Sequence, residues 1–168
     1  YNGIKLKASY GGSALPVQCR RVEVYINDNE ERARGPNLMS FSKARAAGLI
    51  KKFNPLPDYY THLRTLIDSD LIADNPQNFV VDSMYGSGRG AIKGFLQGTG
   101  CEVAEIRHHL NPGFGGIHPE PIGANLGALA SAISTGMGDF GLATDGDADR
   151  IGAMDGRGTF VDPHKIMA

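Results

Sequence analysis

Residues 78–100 read NFVVDSMYGSGRGAIKGFLQGTG. Phe79, Val80 and Val81 form a short apolar β run, a cluster of glycines interrupts it, and a helix-forming stretch follows over about residues 88–97. The next segment, CEVAEIRH (Cys101–His108), is again strand-like. A loop rich in glycine and proline over 110–123 leads into NLGALASAIST (Asn125–Thr135), where Leu126, Leu129, Ala130 and Ile133 recur at helical spacing, and DFGLAT (Asp139–Thr144) is a third strand. Strand, helix, strand, helix, strand is the order of a parallel sheet covered by helices. Ligands of such sheets gather beyond the carboxyl ends of the strands. If the three strands are parallel, the turn at 86–90, the loop at 110–123 and the segment after Thr144 share one edge.

Downstream of this core, RIGAMD (Arg150–Asp155) and GTFVD (Gly158–Asp162) bracket a short hairpin turn, and PHKIMA (Pro163–Ala168) starts another helix. Upstream, PDYYTHLRTLID (Pro57–Asp68) places Tyr59, Leu63, Leu66 and Ile67 on one helical face with Asp58 in the first turn. LIKKFN (Leu49–Asn54) reads as a short strand and residues 35–45 as a linker. Ser13 as N-cap and Pro16 in the first turn open a helix that ends at Arg34–Pro36. Ile4, Leu6 and Ala8 alternate with Lys5, Lys7 and Ser9, which is a strand pattern. The abrupt start before this strand, with no leader, reads as a piece of a longer protein.

A formal charge of −1 disfavours a nucleic-acid binder, and the sparse cluster of Lys43, Arg45, Lys51 and Lys52 reads as solvated surface. Cys19 and Cys101 are too few for a disulfide framework, so reduced thiols and a cytoplasmic setting are expected. No apolar run approaches the roughly 20 residues of a membrane span, so no membrane partner is expected. The 23 glycines lack any G-X-Y period and cluster at 86–100, 113–127, 136–146 and 152–158. They mark recurrent loops in the second half of the chain, where α/β domains carry function.

The densest of these loops is TDGDADR, with Asp145, Asp147 and Asp149 at alternate positions and Arg150 next to the last. Alternate residues of a straight strand lie about 6.6 Å apart, whereas oxygens around one Mg²⁺ sit about 3 Å apart. The backbone must therefore curl, and Gly146 and Ala148 lie where it can do so. Three crowded carboxylates repel unless a cation joins them. An all-oxygen set selects Mg²⁺, Ca²⁺ or Mn²⁺ over Zn²⁺. The EF-hand pattern fails, because its sixth position is Arg150 instead of Gly and its twelfth is Gly156 instead of Glu. A guanidinium beside the ion suits a phosphate, which it grips with two parallel hydrogen bonds.

DGDADR resembles the metal loop of the α-D-phosphohexomutases, the phosphoglucomutases and phosphomannomutases. YNGIK (Tyr1–Lys5) is similar to the segment after that family's phosphoserine loop, VVDSMYGSGRG to the opening strand and turn of its second domain, and HPEP (His118–Pro121) to a motif ahead of that domain's helix. The four motifs occur in the family's order and cover nearly the whole chain. The resemblance implies a three-layer α/β/α domain with a mainly parallel sheet, preceded by a strand and helix of a similar domain. It divides the chain into 1–45 (end of domain one and linker), 46–162 (domain two with the metal loop) and 163–168 (start of the connection to domain three). It implies reversible phosphoryl transfer between hexose 1-phosphate and hexose 6-phosphate through a phosphoserine and a bisphosphate. Asp145, Asp147 and Asp149 would hold Mg²⁺, Arg150 would steady the phosphoryl group, and Lys5 would act as general acid/base or electrostatic partner. Phosphoryl transfer relies on positioning and charge neutralisation, which these groups supply.

The family's nucleophile lies in T-A-S-H-N-P, which does not occur here. It is expected upstream of Tyr1, with the sugar-reading and phosphate-clamping domains beyond Ala168 as partners in the same chain. The fragment alone is therefore expected to be inactive. Two other readings stay open. GSGRGA (Gly86–Ala91) satisfies G-x-G-x-x-G/A after a strand, with Glu105 placed for a ribose, as in a dinucleotide-binding domain. A non-catalytic module stabilised by Ca²⁺ or Mg²⁺ is the other. His108, His109 and His118 lack cysteine partners and read as surface or hydrogen-bonding residues, and Asp82 as a brace for the turn.

Overall fold

The computed structural model describes residues 4–36 and 38–168. The chain divides into two compact units, residues 1–53 and 54–168.

In the first unit, helix α1 (Pro16–Glu31) is followed by the short helix α2 (Phe41–Ala46). Pro16 occupies the first turn of α1 as expected, but the cap is Leu15, whose N–H donates to Gln18 Oε1 at 2.7 Å. Ser13 instead forms a single antiparallel bridge with Lys7. The strand expected over Ile4–Ala8 is thus reduced to one bridge across a tight turn, in keeping with the marginal stability of a lone two-stranded ribbon. Within the expected linker, Ser40 accepts from Lys43 N–H and starts α2. The strand expected over Leu49–Asn54 is absent. Leu49 instead belongs to the turn that ends α2, its N–H donating to Ala44 O.

The second unit opens with α3 (Leu56–Leu63) and α4 (Ser69–Asp74). One helix was expected over 57–68. The Asp68 side chain accepts from Leu71 N–H at 2.9 Å and begins a new helix instead. Strands β1 (Asn78–Asp82), β2 (Glu102–Ile106), β3 (Phe140–Thr144), β4 (Ile151–Met154) and β5 (Phe160–Val161) form one sheet in the order β2-β1-β3-β4-β5. β1 pairs in parallel with β2 and β3, with Val80 opposite Ala104 and Gly141, while β4 and β5 add an antiparallel hairpin. Helix α5 (Ala91–Phe95) is shorter than expected because Gly88–Gly90 remain in the turn. Helix α6 (Gly127–Ser134) and α7 (Pro163–Met167) fall where the sequence placed them. Single 3-10 turns lie at Phe114–Gly116 and Gly123–Asn125.

Alternation along the strands divides the apolar residues between two faces. Val80, Met84, Ala143 and Met154 pack with Leu126, Leu129, Ala132 and Ile133 around α6. A Cβ on Gly141 would stand 2.6 Å from Leu129 Cδ1, so the helix lies directly on the strand. On the opposite face, Phe79 and Leu142 meet Phe95 of α5 and Tyr59 and Leu63 of α3 across an apolar groove of about 310 Å³. The result is an α/β/α layering with a mixed sheet.

Candidate metal and phosphate site

The three parallel strands deliver their following loops to one edge, and hydrogen bonds tie the loops together there. Tyr85 N–H donates to Arg107 O, Ser87 N–H to Gly146 O, and Gly146 N–H to Pro119 O. Among the described residues, Met84, Tyr85, Arg107, Phe114 and Ala148 are non-glycine residues at positive φ on these loops. Such backbone costs of order 1–3 kcal/mol per residue and persists only where the surroundings enforce it, typically at functional sites.

Asp145 anchors the loop. It is fully buried, and its Oδ1 accepts from Asp149 N–H (3.0 Å) and Arg150 N–H (3.1 Å) while its Oδ2 accepts from Arg150 Nε (3.0 Å). The curl falls at Ala148, at φ 62°, rather than at Gly146. It turns Asp147 and Asp149 outward beside Asp145, so that ligand oxygens of all three lie within 4.8 Å of one another. Arg150 is held from both sides, by Asp145 and by Glu120 Oε1, which accepts from Arg150 Nη1. Glu120 lies in HPEP, and Asn125 Nδ2 braces its backbone carbonyl at 2.9 Å.

Burial pushes the Asp145 carboxyl up, but hydrogen bonds from the Arg150 backbone and side chain and from Asp147 outweigh it and hold the group below the ordinary carboxylate value. Asp147 is raised, first by desolvation, then by hydrogen bonding to Asp145 and by the charge of Asp149. One anchored carboxylate and two outward ones, crowded enough to raise one of them, form a donor set that fits a hard divalent cation. A raised carboxyl favours the folded state below the ordinary carboxylate value, and that contribution is lost as pH rises through the raised value. At pH 7 Asp147 therefore works against the cation-free fold. Asp147→Asn is expected to raise the Tm of the cation-free chain at pH 7, with the gain disappearing in saturating Mn²⁺; differential scanning fluorimetry at both conditions checks this.

Lys5 is exposed in the first unit, and Tyr1–Gly3 of YNGIK lie outside the described residues. His108 and His109 are exposed, His109 meets the Tyr85 ring edge-on at 4.9 Å between centroids, and His118 Nδ1 faces Glu120 Oε2 at 3.7 Å. Among the described residues, the three aspartates are the one group of three or more metal-ligating side chains. Asp82 braces the turn as expected: its Oδ1 accepts from Met84 N–H at 3.0 Å, and both carboxylate oxygens pair with Arg107. Glu105, the acid expected at a ribose, accepts from Gly90 N–H at 2.8 Å, and the glycine turn is packed against the aspartate loop. Both observations disfavour a dinucleotide at this turn. Glu120 and Arg107 were not singled out from the sequence, although Glu120 sits inside a motif that was.

Residues 57–158 match the family described as phosphoglucomutase/phosphomannomutase, alpha/beta/alpha domain II. The whole chain is 28% identical over 169 residues to a phosphoglucomutase/phosphomannomutase of Thermococcus kodakarensis, covering 35% of it. It is 31% identical over 173 residues to a phosphoglucosamine mutase of Caldanaerobacter subterraneus, again covering 35%. A crystal structure of a Thermus thermophilus protein provisionally named a phosphomannomutase superposes with a TM-score of 0.63 at 36% identity, over 67% of this chain and 26% of that one. The chain thus spans about a third of the length of the curated relatives it matches.

Proposed function

The chain belongs to the phosphoglucomutase/phosphomannomutase family, and we propose that the protein carrying it interconverts hexose 1-phosphate and hexose 6-phosphate through a phosphoserine and a bisphosphate intermediate. The observation that carries this reading is the aspartate loop with Arg150 on the edge where three strand-ending loops converge. A divalent cation, read as Mg²⁺, supplies charge neutralisation when bound to Asp145, Asp147 and Asp149. Asp145 needs no rearrangement of its backbone to serve, because three N–H donors already fix its carboxylate. Arg150, clamped by Asp145 and Glu120 and 44% exposed, presents its guanidinium to a phosphoryl group. Lys5 is assigned a proton-exchanging or electrostatic role beside the phosphoserine, whose loop would precede Tyr1 in the longer chain.

The same reading assigns residues 1–45 to the end of a first domain, 46–162 to the second and 163–168 to the connection onward, with the sugar read by further domains. It places the enzyme in the cytoplasm; among the described residues no helix is long and apolar enough to cross a membrane. The test is turnover by the full-length protein of glucose 1-phosphate, mannose 1-phosphate and glucosamine 1-phosphate, with a trace of the matching bisphosphate, with and without EDTA. Turnover abolished by EDTA and restored by Mg²⁺ is expected, while the 168-residue chain alone gives none. Binding of Mg²⁺ without turnover of any of the three sugars would instead favour a metal-stabilised, non-catalytic module.

A further inference from the structure

The Gly86–Gly88 turn is the back wall of the aspartate loop, and its glycines are required by the loop and not by their own backbone. Neither Gly86 nor Gly88 is at positive φ, so an L-residue is conformationally permitted at both. The obstacle is space. A Cβ on Gly86 would stand 2.6 Å from Asp145 O, 2.9 Å from Gly146 O and 3.0 Å from Gly146 Cα, all backbone atoms of the loop. A Cβ on Gly88 would stand 2.8 Å from Thr144 Oγ1 and 3.1 Å from Ala148 Cβ. Ala148 is the residue at which the loop curls. Ser87 N–H, between the two glycines, donates to Gly146 O at 3.0 Å, and on the loop's other side Gly146 N–H donates to Pro119 O at 3.1 Å. The peptide that follows Asp145 is thus clamped between the turn and HPEP. Gly90 differs: it is at φ +73° in open space, so its glycine serves its own conformation.

We infer that Gly86 and Gly88 are positioning residues of the metal site, setting the separation of Asp145, Asp147 and Asp149 by letting the loop seat directly on the turn. This rests on the aspartates being cation ligands. A shift of a few tenths of an ångström in Asp145 O, which a Cβ at Gly86 would force, moves the buried ligand relative to the two exposed ones. Mg²⁺ demands near-octahedral geometry, and Mn²⁺, which takes the same hard oxygen ligands, still needs all three carboxylates within bonding reach of one ion, so the shift is felt as lost affinity.

The experiment measures Mn²⁺ affinity of the 168-residue chain by electron paramagnetic resonance, alongside the Tm of the cation-free chain. Gly86→Ala is expected to weaken Mn²⁺ binding at least tenfold. Gly127→Ala, where a Cβ meets nothing within 4 Å, serves as the control and is expected to bind as the parent does. Should Gly86→Ala fail to fold, Gly88→Ala carries the test, because its obstacles are side-chain atoms. Its affinity is expected to fall, and to recover in Gly88→Ala/Thr144→Ala, which removes the nearer obstacle. A purely structural role would lower Tm and leave the affinity of the folded fraction unchanged. Parent-like affinity in Gly86→Ala, or in Gly88→Ala where that variant carries the test, overturns the inference. Failure of the parent chain itself to bind Mn²⁺ overturns the assignment of the aspartates as ligands, and the inference with it.

Discussion

Asp82→Ala is expected to destabilise the chain by about 3–5 kcal/mol, the cost of leaving one member of a buried ion pair uncompensated. Asp82 is fully buried and the Arg107 side chain is 11% exposed. Arg107 Nε lies 2.9 Å from Asp82 Oδ1 and 3.1 Å from Oδ2, and Nη2 also contacts Oδ2. Alanine would strand the guanidinium beneath the loops and orphan Met84 N–H, which donates to the same carboxylate. Arg107 also fastens the segment ahead of α6, through Nη2 to Asn125 O at 3.2 Å. For a chain of this length the loss corresponds to a fall in Tm of roughly 6–20 °C. Thermal unfolding followed by circular dichroism checks it, and a change below about 1 kcal/mol would show that the pair contributes little beyond its own desolvation.

The second buried aspartate is expected to respond differently. Asp145→Ala removes the acceptor for Asp149 N–H, Arg150 N–H and Arg150 Nε. Because Arg150 is 44% exposed and retains Glu120, the expected cost is smaller, about 2–4 kcal/mol. The lowered pKa of Asp145 means that its stabilisation is present above the ordinary carboxylate value and lost as pH falls through the depressed one. The variant should therefore lose stability at pH 7 and lose less on acidification than the parent. It should also lose the cation-induced rise in Tm, which Asp82→Ala should keep. Asp149→Asn, at a side chain 70% exposed, should lose the cation response while staying within about 0.5 kcal/mol of the parent in stability. An Asp145→Ala chain that Mn²⁺ stabilises as much as the parent would exclude Asp145 as a ligand.

These two aspartates show how far the sequence could be read. Asp145 stood out because its partners Asp147, Asp149 and Arg150 are within five residues. The role of Asp82 as a brace was also expected, but its partner is 25 residues away in the loop that follows another strand, and no local pattern pointed to Arg107. The same holds for Glu120, which reaches Arg150 across 30 residues. Misread elements follow a similar division. The strand at Ile4–Ala8 had the right alternation, but only one bridge forms, from Lys7 to Ser13. The helix expected over 57–68 ends at Leu63, and of its expected face Tyr59, Leu63 and Ile67 line the apolar groove while Leu66 is exposed; a cap at Asp68 then starts a new helix.

What the sequence determined by itself was the order of elements in residues 78–167 and the gathering of three carboxylates and Arg150 in one loop. Apolar periodicity, turn residues and ligand spacing are local, and they survive in one dimension. Only the tertiary structure decided why Gly86 and Gly88 carry no side chain. Read linearly, GSGRGA suggests a cradle for a pyrophosphate. In the fold the space beside Gly86 is filled by the backbone of Asp145 and Gly146, delivered there by a parallel strand much further along the chain. Steric exclusion between distant backbone segments has no sequence period, so it becomes visible only when the sheet brings the two loops together.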